Sequence, residues 1–172
     1  MTETVLETFT TERLQAERLT LQHLPEVRRM HQDAAVMARL GGVRTEQQTA
    51  AYLDRNLRHW ADYGFGLWIL RERGGSVPVG RAVLRHLTID EADEVEVGYA
   101  FYQPYWGRGL ATEIASHCVA LAERELGLGT VVGLTDPVNR ASRHVLEKIG
   151  LTYERDCVHE DHLSALFRKR LR

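Results

Sequence analysis

With 172 residues, 44% hydrophobic and 27% charged, the chain has the make-up of one soluble globular domain spanning residues 1–172. A domain of this size buries roughly two-thirds of its extended surface and needs no disulfides to fold. A net charge of −2 supplies no bulk attraction to nucleic acid or to an anionic membrane, and neither is expected as a partner.

No run approaches about 18 uncharged apolar residues, as a membrane span requires. The opening residues MTETVLETFTTER lack the basic start and apolar core of a signal peptide, so the expected compartment is the cytoplasm. Cys118 and Cys157 show no paired spacing.

The segment Leu14 to Leu21 alternates and reads as a first strand, with Leu19 and Leu21 on one face. Pro25, Val27, Met30, Val36 and Met37 predict one or two short helices, broken by Gly41-Gly42. Thr45 with Gln48 is a capping-box pattern opening a helix through Tyr52, Leu53, Leu57 and Trp60.

Gly64-Phe65-Gly66 ends that helix and starts a strand, Leu67 to Arg71; Gly74-Gly75 turns the chain into a second, Val77 to Leu87. The charged run from Asp90 to Glu96 reads as a loop entering a third strand, Glu94 to Tyr102. There Val95, Val97, Tyr99 and Phe101 share one face and Glu96, Gly98 and Ala100 the other.

After Gly109 the period lengthens, and Leu110, Ile114, Cys118, Leu121, Ala122 and Leu126 form one helical stripe that stops at Gly127. A short strand (Thr130 to Leu134), a helix (Val138 to Lys148) and two closing strands (Leu151 to Val158, Leu163 to Arg170) follow. The order predicts a mixed sheet with helices on its faces, an α/β or α+β architecture without the regular alternation of a dinucleotide-binding fold.

The segment Gln103-Pro-Tyr-Trp-Gly-Arg-Gly-Leu-Ala-Thr-Glu113 carries the most chemistry. Gly107 and Gly109 remove side chains where backbone N–H groups would approach a ligand, and the following helix offers its free first-turn amides to a phosphate. Two glycines alone are also compatible with a plain tight turn. A Walker loop would need a Gly-Lys-Ser/Thr ending that is absent, and the dinucleotide fingerprint would need glycine where Thr112 stands. A nucleotide-binding domain using the same glycines is the rival reading.

Trp106-Gly107-Arg108-Gly109-Leu110-Ala111 resembles the coenzyme A turn of the GNAT (GCN5-related N-acetyltransferase) superfamily from the first glycine onward. Trp106 stands where Gln or Arg is usual, as in many members of the RimJ/RimL-like branch. The resemblance continues through Thr11-Glu-Arg-Leu14, Gly41-Gly-Val-Arg-Thr45, Gly64-Phe-Gly-Leu-Trp68 and Glu96-Val-Gly-Tyr99, then Asn139-Arg-Ala-Ser142 with Glu147-Lys-Ile-Gly150.

It implies the GNAT fold, a mixed and mostly antiparallel sheet splayed into a V. The activity implied is acetyl transfer from acetyl-CoA to an amine by direct attack, with no metal. The other possibility is an acyl-CoA-binding module without activity. The acceptor expected is the amine of a small molecule or of a protein N-terminus, and the chain is expected to be a monomer or homodimer.

The backbone from Gly107 to Thr112, with Trp106 before it and Arg108 as an added cation, is expected to hold the cofactor phosphates. The resemblance places Ala100 and Phe101 where main-chain groups meet the pantetheine arm and the acetyl oxygen. Glu96, on the face with Gly98 and Ala100, is the candidate base, since either amine class is largely protonated at neutral pH. Partial burial would raise its pKa; the alternative is a surface glutamate or one paired with an arginine.

The tyrosine many GNAT enzymes use to protonate the departing thiolate is replaced by Leu146. The branch points instead to Ser142, otherwise a helix serine bonding its own backbone. Asn139 is a pantetheine contact or a helix cap. Cys157, His159 and His162 lack a fourth ligand and read as a turn rather than a metal site. His31 and His59 are placed by analogy on helices bordering the acceptor cleft; Trp60, Trp68 and Tyr63 either line that cleft or, as expected first, pack in the core.

Overall fold

The structure, a computed structural model, describes residues 5–172. Its elements in chain order are β1 (Thr8–Thr10), β2 (Leu14–Arg18), α1 (Leu24–His31), α2 (Ala34–Met37), α3 (Glu46–Tyr63), β3 (Leu67–Glu72), β4 (Pro78–Ile89) and β5 (Ala92–Phe101). They continue with α4 (Leu110–Arg124), β6 (Thr130–Thr135), α5 (Arg140–Lys148), β7 (Thr152–His159) and β8 (His162–Arg170).

Eight strands form one sheet in the order β1-β2-β3-β4-β5-β6-β8-β7. Every neighbouring pair is antiparallel except β5 and β6, which run parallel and meet at the single pair Glu96↔Val132. Beyond that bridge β5 continues to Phe101 paired only with β4, and β6 continues to Thr135 paired only with β8. The sheet opens there, and the opening is the feature that positions everything below.

The alternation predicted along β5 matches its register: Glu96, Gly98 and Ala100 stand opposite Arg85, Val83 and Arg81 of β4. On the face carrying Arg81 the sheet is covered by α1 and α3, whose Val27, Met30, His31 and Tyr52 line a small pocket with Leu67, Ile69 and Arg81. Helix α4 packs against β4 and β5 on the other face, through the stripe of Leu110, Ile114, Cys118, Leu121 and Ala122. Helix α5 approaches β6 so closely that a Cβ at Gly133 would lie 2.6 Å from a Leu146 methyl. Trp60 and Trp68 are core residues, 2% and 0% exposed, with their rings edge to face.

Several expectations are corrected. The first strand ends at Arg18, and Leu21 is 69% exposed because Thr20 caps a turn, its amide donating to His23 Nδ1. The three-residue strand β1 is too short for alternation to reveal. The charged run at Asp90 is not a loop: Asp90 and Glu91 form a two-residue turn with φ of 47° and 69°, and β5 starts at Ala92. Tyr63 is half-exposed and lies against His86, the rings tilted by 32° at 4.1 Å between centroids, instead of entering the core.

Candidate active site

The turn between β5 and α4 is built for open backbone. Gly107 and Gly109 have φ of 73° and 78°, the left-handed region, and nothing lies within 4 Å of a Cβ at Gly107. Gly109 is the N-cap of α4 and brings no side-chain cap, so the amides of Leu110, Ala111 and Thr112 have no intrahelical acceptor. Gly107, Arg108 and Gly109 are exposed, while Leu110 is buried and roots the helix.

Two interactions fix this turn that the linear sequence did not signal. The Trp106 indole N–H donates to the Phe101 carbonyl at 2.7 Å, tying the turn to the end of β5. Arg13 donates to the Arg108 carbonyl at 2.6 Å and to Glu113 at 2.8 Å, strapping turn and helix to the start of β2. The Arg108 guanidinium itself pairs with Glu72 at 3.0 Å.

Hydrogen-bond alternation decides which main-chain groups of β5 face the opening. Tyr102 donates its amide to Val79 of the β4 edge at 3.1 Å, so Ala100 shares that direction and Phe101 faces the opposite way. The Ala100 carbonyl accordingly lies 2.4 Å from a Cβ built at Gly80, a position only glycine can fill. The Phe101 carbonyl is taken by Trp106, which leaves its N–H directed at the opening.

On the α5 side, the Tyr99 hydroxyl lies 3.3 Å from Ser142 Oγ and donates to the Ser142 carbonyl at 3.2 Å. Burial pushes the Tyr99 phenol up to about 12, against a smaller opposing effect of the Ser142 bond, so it stays a donor at neutral pH. Asn139 Oδ1 caps α5 by accepting the Ser142 amide at 3.1 Å. Leu146 is fully buried, packed against Gly133.

On the α3 side, Glu96 is 7% exposed and both Arg85 Nε and Nη2 donate to its Oε2, at 3.1 and 3.0 Å. The Glu96 charge is the main reason the Arg85 guanidinium is held above its ordinary value. Oε1 is left toward Gly98, where a Cβ would lie 3.4 Å from it. The opening therefore has a hydroxyl pair on one side and a buried carboxylate on the other.

The two helix histidines divide. His59 Nδ1 bonds the Phe65 carbonyl at 2.8 Å and its Nε2 accepts the His86 amide at 2.9 Å, so it ties α3 to the β4 edge. His31 is 1% exposed, bonds Thr49 Oγ1 at 2.9 Å and lies edge-on to Tyr52. Burial, then Arg44 and Arg81, lower its pKa to about 4.

Because the fold holds that ring neutral, its contribution to stability is complete above pH ~6.5 and is lost as pH falls through the folded value. The loss amounts to about 3 kcal/mol. Urea unfolding across this window is expected to show that decline, with His31→Gln flattening it; an unchanged slope would contradict the assignment.

Among the described residues no three His, Cys, Asp or Glu side chains converge as metal ligands would. His159 and His162 bracket the Glu160-Asp161 turn, and Cys157 is buried on β7. Burial pushes the Cys118 thiol up to about 12, far from a reactive thiolate. No described helix is long and apolar enough to cross a membrane.

Residues 13–152 match the family described as the acetyltransferase (GNAT) domain. The uncharacterized protein YkkB of Bacillus subtilis (strain 168) is 32% identical over 123 residues, 72% of each chain. Among solved structures, an acetyltransferase from Agrobacterium tumefaciens str. C58 superposes with a TM-score of 0.83 at 26% identity, covering 94% of this chain and 93% of that one. RimL, a ribosomal alpha-N-protein acetyltransferase solved in complex with coenzyme A, shares the fold at a TM-score of 0.78 and 13% identity, covering 96% and 98%.

Proposed function

The chain belongs to the GNAT acetyltransferase family, and we propose that it is an N-acetyltransferase moving acetyl from acetyl-CoA to a primary amine with both substrates bound together. The observation that carries this reading is the parting of β5 from β6 beside an uncapped glycine turn. The resemblance of the glycine turn, supported by the fold shared with RimL, leads us to place the chain in the RimJ/RimL-like branch.

Acetyl-CoA would supply a thioester already activated toward amines. Its phosphates suit the amides of Gly107 to Thr112, which combine left-handed glycines with a helix N-terminus. Arg108 would join them by leaving Glu72. The Phe101 N–H, directed at the opening, is a donor for the acetyl oxygen. The Asn139 side-chain NH2, unused in capping α5, is a donor for the pantetheine arm.

Glu96 takes the ammonium proton of the acceptor, directly or through water. Ser142 gives its hydroxyl proton to the departing sulfur and is reprotonated through its contact with Tyr99, the phenol regaining its own proton from solvent. The buried leucine at position 146 keeps alive a second reading, a module that holds acyl-CoA without turning it over.

Melting temperatures with acetyl-CoA, CoA, NAD and ATP test the cofactor. At ~100 times its dissociation constant a ligand adds about 2.7 kcal/mol, a shift of several degrees. A shift with acetyl-CoA and CoA alone is expected; a shift with NAD or ATP instead would favour a nucleotide site. Release of CoA with an amine panel then separates enzyme from binding module.

A further inference from the structure

We infer that the acceptor amine carries an oxyanion, a carboxylate or a phosphate, and that Arg44, Arg55 and Arg81 receive it. The inference rests on the acetyl-transfer reading above and narrows its substrate.

Three guanidiniums from three different elements surround one ring. The Cζ atoms of Arg44, Arg55 and Arg81 lie 5.0, 5.8 and 5.6 Å from the centroid of Tyr52. They come from the loop before α3, from α3 itself and from β4. Among the described residues, none of the three has a carboxylate within ion-pair distance. Their neighbours are treated differently: Arg85 is paired with Glu96, and Arg58 with Asp54.

Arg81 Nε is moreover buried with no hydrogen-bond partner among the described residues, an N–H whose desolvation no hydrogen bond there offsets. Attraction to the Tyr52 ring draws each cation in but does not cancel their mutual repulsion. Arg44 is held below its ordinary value by burial and by Arg81 and Arg55, against the opposing pull of Tyr52 and Glu160. His31, pressed on the same ring, stays neutral. A cluster so arranged lacks one component, a negative charge.

Position links the cluster to the acceptor. Arg81 stands opposite Ala100, the residue before Phe101, and shares its sheet face with Arg85 opposite Glu96. That face is covered by α1 and α3, whereas the glycine turn leads into α4, which covers the other. The arginines are thus on the proposed base's side of the opening, away from the backbone amides suited to the cofactor phosphates. Polycationic amines would meet repulsion here, while an amino acid or an amine phosphate would meet a forked donor set.

The test is CoA release by the full chain with matched amines. The pairs are glycine, β-alanine and 4-aminobutyrate, each with its carboxamide, and O-phosphoethanolamine with ethanolamine; spermidine is the polycation. The carboxamides have the less basic amine, so preference for the acid is not a reactivity effect. A carboxylate or phosphate member is expected to exceed its neutral partner at least about tenfold in kcat/KM, and which of the two does so identifies the anion.

Arg81→Gln and Arg44→Gln should bring that ratio toward one, whereas the surface variant Arg58→Gln should leave it unchanged. Turnover without preference for the anion, preference for spermidine, or no turnover of any anionic amine while acetyl-CoA still stabilises the protein overturns the proposal. The wild-type panel decides it even where a variant fails to fold. Failure of the acetyl-transfer reading looks different: neither acetyl-CoA nor CoA would stabilise the chain, and the proposal would fall with it.

Discussion

Glu96→Gln is expected to lower kcat/KM at pH 7 by about 10²–10⁴-fold, the range over which a positioned general base contributes. The amine it serves is mostly protonated: a lysine-type group has a pKa of ~10.4 and an α-amine ~8. Burial at 7% exposure and the fixed Arg85 fork hold the carboxylate in one place, with Oε1 unengaged on the side of the small residue Gly98.

Glutamine keeps the shape and an oxygen for Arg85, so the variant tests proton transfer more than packing. Removing the carboxylate altogether would leave Arg85 unpaired in a half-buried site, which is strongly destabilising. The pH–rate profile separates the roles. If Glu96 is the base, the variant recovers activity as rising pH deprotonates the amine unaided. A variant with a reduced melting temperature, near-normal kcat and an unaltered profile would make Glu96 a structural partner of Arg85 only.

The parts of this site that were legible in the sequence are those encoded locally. Gly107 and Gly109 followed by a lengthened hydrophobic period announce a glycine turn entering a helix, because left-handed backbone and helical period are properties of adjacent residues. The alternation of Val95 through Phe101 fixes the two faces of β5 for the same reason. The Thr45–Gln48 capping box is likewise present in both its bonds.

Contacts that depend on the whole fold were not legible. Tyr99 and Ser142 are 43 positions apart and meet only because the fold brings the start of α5 to the end of β5. Arg13 reaches the turn from 95 positions away. Nothing local joins the three arginines around Tyr52, since no period relates a loop, a helix and a strand. Charge clustering of this kind has no sequence signature short of the fold itself.

Ser142→Ala is expected to lower kcat by about 10²-fold without weakening the stabilisation by CoA, the low end of what general acids supply. A thiol of pKa ~8.5 is a moderate leaving group, so its departure gains from a proton, and Leu146 has none to give. Ser142 alone would be a poor acid. Its proton is replaced through Tyr99, whose phenol sits 3.3 Å from Oγ, stays protonated because burial raises it to about 12, and is recharged by solvent after each transfer.

Tyr99→Phe should therefore cost less, about tenfold, since water can replace the distal donor. If the two hydroxyls form one relay, the double variant will be no slower than Ser142→Ala, because a broken chain cannot be broken again. Strictly additive losses would mean two independent roles. An unaffected kcat in Ser142→Ala would assign the serine to the helix alone and leave the thiolate to depart without help from these groups.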